Sequence, residues 1–94
     1  MTLKFETTGI SVRYDTEAGA AYIRLRAGKV AKTVEERPAS VMLDLDAKGH
    51  LLGVELLDPN EADGALLRRI AKRYDSPALG RLRPEHLPKL FAAA

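Results

Sequence analysis

Val41-Met42-Leu43-Asp44-Leu45-Asp46-Ala47-Lys48-Gly49-His50-Leu51-Leu52-Gly53-Val54-Glu55-Leu56-Leu57 decides the fold, because two apolar runs meet at Asp46 to Gly49, where turn-forming residues are concentrated. Val41, Leu43 and Leu45 alternate with Met42, Asp44 and Asp46, which gives a strand with one apolar and one mostly acidic face. Asp46 and Gly49 occupy the first and fourth positions favoured in a type I turn. The stretch is a β-hairpin at the centre of a small sheet. Its register has two solutions. With Leu45 opposite His50, Leu52, Val54 and Leu56 join the apolar face, and Leu51, Gly53 and Glu55 lie beside the aspartates. A glycine bulge at Gly49 slips the pairing by one residue and reverses those assignments. Amphipathicity favours the first. A hairpin alone is marginal in water, so it needs flanking strands and an apolar cover.

The flanking segments supply both. Leu3 to Thr7 alternates apolar and polar residues, and Ile10, Val12 and Tyr14 mark one side of a second strand. In Ala20 to Arg26, Ala21, Ile23 and Leu25 face one way and Tyr22, Arg24 and Arg26 the other. Val30 to Arg37 is β-branched at Val30, Thr33 and Val34, and Pro38 closes it. Asp58-Pro59-Asn60-Glu61 combines an N-cap acid, proline at the first helical position and a glutamate three residues after the cap. Ala62, Leu66, Ile70 and Tyr74 then recur every four residues, with Leu67 beside them, so a helix over about 59–74 lays one stripe on the sheet. A shorter helix starts at Pro77. Arg83-Pro84-Glu85 opens a last helical turn, with Leu87, Leu90 and Phe91 as its contacts. The expected architecture is α+β, an antiparallel meander of about five strands with C-terminal helices packed on one face. The 94 residues form one domain, since a chain of this length fills a single core.

Composition narrows the function. Hydrophobic residues at 46% and charged residues at 30% suit a water-exposed globule, and no stretch approaches the ~20 apolar residues needed to span a bilayer. The opening MTLKFETTG lacks the apolar run of a secretory signal, which points to the cytoplasm. With no cysteine, disulfides, thiolate zinc sites and cysteine nucleophiles are excluded. Residues 1–57 carry eight basic and eight acidic side chains, so the net charge of +2 arises in the C-terminal part. There Arg68, Arg69, Lys72 and Arg73 lie off the apolar stripe and are candidates for contact with nucleic acid or an acidic partner.

Asp44, Asp46 and Glu55 form a candidate acidic face. Asp44-x-Asp46-x-Lys48-Gly49, with Glu55 at position twelve, has the spacing of an EF-hand calcium loop. Lys48 stands where that loop supplies an oxygen ligand, and the flanks are strands instead of helices, so the residues are assigned to a turn and a sheet face. No metal or cofactor is expected. His50 and His86 have no spacing that brings them together, and Ser11, Ser40 and Ser76 lack a nucleophile-elbow context. Tyr22 has Arg24 but no second aromatic beside it, a weak pattern for base stacking.

Tyr14 to Leu25, Thr33-Val34-Glu35 and Val41 to Leu57 together resemble the domain of unknown function 2283 family, small and mostly bacterial proteins. Its members open on YD-x-EAD-A-x-YI and close on LD-x-D-x-x-G-x-x-x-GIE-x-L. The resemblance covers about residues 10–57; the helical extension from Asp58 lies outside it. The family usually has aspartate where this chain has Gly19. No activity is established for the family as a whole, and the resemblance implies only that a small RelE-like toxin is a possible partner, in an antitoxin-like role. The expected function is non-catalytic: self-association as a homodimer, since an open meander leaves strand edges to be covered, or binding of another protein. A nucleic-acid-binding regulator using the basic helix is the alternative, and a small metal-dependent enzyme at Asp44, Asp46 and Glu55 ranks below it.

Overall fold

The computed structural model describes residues 2–7, 9–57 and 64–82. Six strands, β1 (Thr2–Thr7), β2 (Ile10–Asp15), β3 (Ala20–Arg24), β4 (Lys32–Arg37), β5 (Val41–Leu45) and β6 (Leu51–Leu56), precede two helices, α1 (Gly64–Arg73) and α2 (Pro77–Arg81). All pairings are antiparallel, in the order β1-β2-β3-β6-β5-β4. The α+β class and the antiparallel sheet match expectation, with six strands in place of about five. The sheet consists of two three-stranded meanders joined where β3 pairs with β6. The expected helix start at Asp58 to Ala62, and the last turn with Arg83 to Glu85, His86, Leu87, Leu90 and Phe91, lie outside the described residues.

One face of the sheet is the core. Val12, Ile23, Val41, Leu43, Val54 and Leu56 are fully buried there, and Leu66, Leu67, Ile70 and Leu79 close over them from the helices. Strand alternation and the helical spacing of Leu66, Leu67 and Ile70 each place one apolar surface, and burying one against the other is the main stabilising term. Arg68, Arg69, Lys72 and Arg73 remain exposed on α1. Asp75 adopts φ +52°, which lets the Ser76 amide reach back to the Ala71 carbonyl at 2.8 Å and turns the chain into α2. Val30, expected within a strand, precedes β4 and is 46% exposed.

The central hairpin takes the glycine-bulge register at its turn and shifts by one more residue beyond it. The Gly49 amide donates to the Asp46 carbonyl at 3.1 Å, and Gly49 takes the left-handed φ of +86°. That is a type I turn followed by a glycine bulge, and it places Asp46 opposite His50. The expected pairing of Leu45 with His50 is therefore corrected: Leu45 faces Leu51, and both are buried in the core. A second irregularity follows at once, since Asp44 faces Gly53 and leaves Leu52 as an extra residue. Both extra residues, Gly49 and Leu52, lie on the second strand, so the two one-residue slips add to a shift of two, which restores the expected faces but not the expected partners. Beyond them Val54 and Leu56 lie on the core face opposite Leu43 and Val41, with Gly53 and Glu55 opposite Asp44 and Met42; these four residues take the expected faces with partners displaced by two, whereas Leu51, expected beside the aspartates, joins the core cluster in place of Leu52.

Leu52 is buried outside the main cluster. The link between β3 and β4 covers it, and a Cβ on Gly28 would approach Leu52 Cδ2 to 2.9 Å. The Leu25 and Arg26 amides both donate to the Leu52 carbonyl, at 2.8 and 3.2 Å, so the bulged residue anchors the crossover.

Candidate functional site

On the face away from the helices, β3, β5 and β4 are tied together by one carboxylate. The Tyr22 hydroxyl donates to Asp44 Oδ2 at 2.8 Å, and the Thr33 hydroxyl donates to Asp44 Oδ1 at 2.7 Å. Strand register explains the geometry. Gly53 lies on β6 between Arg24 of β3 and Asp44 of β5, while Tyr22 sits opposite Glu55. The phenol crosses diagonally over Gly53 to reach Asp44, through space that any side chain at residue 53 would fill: a Cβ there falls 2.8 Å from Tyr22 Cε1 and closer still to Cζ and Oη. The Arg13 guanidinium lies over the same ring, 5.9 Å from its centroid.

Burial raises the Tyr22 phenol to about 12, and the hydrogen bond to Asp44 and its charge add to the effect. The neutral phenol is thus favoured in the fold. Stability from this group should persist below the ordinary tyrosine value of about 10 and decline as pH rises toward 12. Spectrophotometric titration should show one of the three tyrosines ionising well after the ordinary range, and Tyr22→Phe should remove that late phase.

Asp46 serves the turn. Its Oδ1 accepts from the Lys48 and His50 amides at 2.9 and 2.8 Å, and its Oδ2 lies 3.0 Å from His50 Nδ1. These contacts close the EF-hand spacing into an Asx-type turn, with Asp44 engaged by Tyr22 and Thr33 and Glu55 out on β6. Among the described residues no group of three or more His, Asp or Glu side chains is placed to hold a metal ion. The backbone amide of His50 is the main reason the Asp46 carboxyl titrates below its ordinary value.

The basic helix is partly neutralised from the sheet. Arg73 makes a two-pronged pair with Glu36, Nη1 to Oε2 at 2.7 Å and Nη2 to Oε1 at 2.9 Å, fastening α1 to β4. That hydrogen-bonded guanidinium also holds the Glu36 carboxyl below its ordinary value. Arg68, Arg69 and Lys72 remain exposed along α1. Glu36 and Asp46 both stabilise the fold in their ionised forms, so that stabilisation is present above the ordinary carboxylate range and lost as pH falls through and below it. The melting temperature should drop below about pH 4, and a Glu36→Gln/Asp46→Asn variant should show a shallower acid limb. An unchanged limb would assign the acid sensitivity to other carboxylates.

Among the described residues, open clefts flank this network. One, of about 270 Å³, lies beside the clamp and is lined by Arg13, Asp15, Tyr22 and Glu55 among others. Another, of about 240 Å³, lies where His50 and Leu51 meet the α1–α2 corner at Tyr74 and Ser76. Sequence reading placed Asp44 and Tyr22 on polar strand faces without joining them. The signal available was the glycine at residue 53, which lies between their strands in the final register. Glu36 as the partner of Arg73 carried no sequence signal, since the two are far apart in the chain.

The two sequence blocks noted for their family resemblance meet in this clamp, Tyr22 coming from the first and Asp44 and Gly53 from the second. The turn at the head of the first block is built by Asp15, whose Oδ1 accepts from the Glu17 and Ala18 amides at 2.9 and 3.2 Å. Gly19 closes that turn at φ +68°, with open space around it. Among the described residues no helix is long and apolar enough to cross a membrane. No curated protein and no solved structure matches the chain significantly. A family match spans residues 11–58, from β2 through the end of the hairpin, and by it the chain belongs to the family described as "Protein of unknown function (DUF2283)".

Proposed function

We propose that the protein is a non-catalytic interaction module that works through self-association, with binding of another protein such as a small toxin as the use to which that surface is put. The observation that carries this reading is the engagement of both Asp44 oxygens within the sheet. Both of its oxygens accept hydrogen bonds from side chains on neighbouring strands, so the central carboxylate of the polar face braces the sheet. Asp46 is likewise committed to its turn. With these acids engaged in holding strands, function falls to the edges and surfaces of the sheet. A six-stranded open sheet has two such edges, and unpaired backbone donors and acceptors there favour strand addition. Light scattering on the purified protein at about ten to fifty micromolar should report twice the 10.3 kDa chain mass. A single-chain mass across that range would overturn self-association.

A further inference from the structure

We infer that the self-associating surface is the outer edge of β1, which pairs antiparallel with β1 of a second copy in a register that sets Lys4 opposite Glu6 twice. This rests on the self-association reading and names its surface. Among the described residues β1 has a strand neighbour only on its β2 side, so one row of its backbone groups faces outward. The opposite edge is unsuited to the same use. In β4 the pairing slips between Glu35 and Arg37, Pro38 follows, and Glu36 is held by Arg73 of α1.

The register follows from symmetry and charge. A two-fold axis perpendicular to the sheet keeps the helix-bearing faces of both copies on the same side, so facing residues must share a face. This leaves two central registers for the Thr2–Thr7 strand. In one, Lys4 faces Lys4 of the other copy. In the other, Phe5 faces Phe5 and each Lys4 faces a Glu6, an opposite-charge pair made twice. Within its own sheet neither residue has such a partner in β2, since Lys4 lies opposite Arg13 and Glu6 opposite Ser11. Both side chains are exposed. The pairing is closed: it yields one twelve-stranded sheet whose two remaining edges are the bulged β4 strands.

Charge reversal tests the register. Lys4→Glu and Glu6→Lys should each weaken the dimer at least about tenfold in Kd, because each turns both cross-strand pairs repulsive. Mixing the two variants should restore a heterodimer, since one copy then brings only acids and the other only lysines to these positions. Native mass spectrometry reads the mixed species directly. Lys4→Glu also places an acid opposite Arg13 within its own sheet, so β1 itself is not weakened by that change. Weakening by each single change with recovery on mixing supports the edge. A wild-type dimer indifferent to both reversals would overturn it while leaving self-association through another surface, and a monomeric wild type would overturn both.

Discussion

Removing residues 58–94 should leave a chain that does not fold, although the remaining 57 residues contain nearly all of the family match. The reason is the core face of the sheet. Leu66, Leu67, Ile70 and Leu79 are at most 4% exposed, and they are the described cover over the fully buried Val12, Ile23, Val41, Leu43, Val54 and Leu56. Burial of each Leu or Ile side chain contributes about 1.5–3 kcal/mol, so the four helical residues alone supply about 6–12 kcal/mol. The whole protein is expected to be stable by about 5–14 kcal/mol. The strand residues they cover would lose burial as well. Circular dichroism should show little native sheet in the truncated chain, with dye binding to exposed apolar surface. A cooperative melt of residues 1–57 would mean that the meanders hold themselves together.

Gly53→Ala should cost about 2–4 kcal/mol, an unusual penalty for one methyl group on a strand. The added Cβ would fall inside the volume of the Tyr22 phenol, which would have to swing away and release Asp44. Overpacking contributes part of the loss, and the broken hydrogen bond to a charged acceptor the rest. Urea denaturation of the single variants and the double variant separates this cause from a backbone effect. Once Tyr22→Ala has removed the ring, Gly53→Ala should cost less than about 1 kcal/mol. Equal costs in the two backgrounds would show that the glycine is required for a reason unrelated to Tyr22.

The same residues show how far the sequence reaches. Alternation in Val41 to Leu45 located a strand and its buried side, because period two is a local property of extended chain. Asp46 and Gly49 located the turn for an equally local reason: the Asp46 side chain bonds amides two and four residues on, and glycine accepts φ +86°. The register of the hairpin could not be settled this way. Two slips of one residue add between Gly49 and Gly53, which restores the faces while moving the partners by two, and the second coincides with the Leu52 carbonyl receiving two amides from the β3–β4 crossover. The clamp is legible only as parity. Tyr22, Asp44 and Gly53 each fall on a non-core position, while their convergence requires β3, β6 and β5 to be neighbours in that order.

Sequence by itself determined the antiparallel class, the apolar faces, the turn at Asp46 to Gly49 and the family, all of which depend on residue type at short spacing. Tertiary structure alone decided that β3 pairs with β6, that Asp44 braces three strands, that Arg73 is bound by Glu36, and that β1 and β4 are the edge strands. Those outcomes depend on which distant segments burial brings together. Strand order is fixed by the best simultaneous cover for every apolar face, and no single segment carries that information.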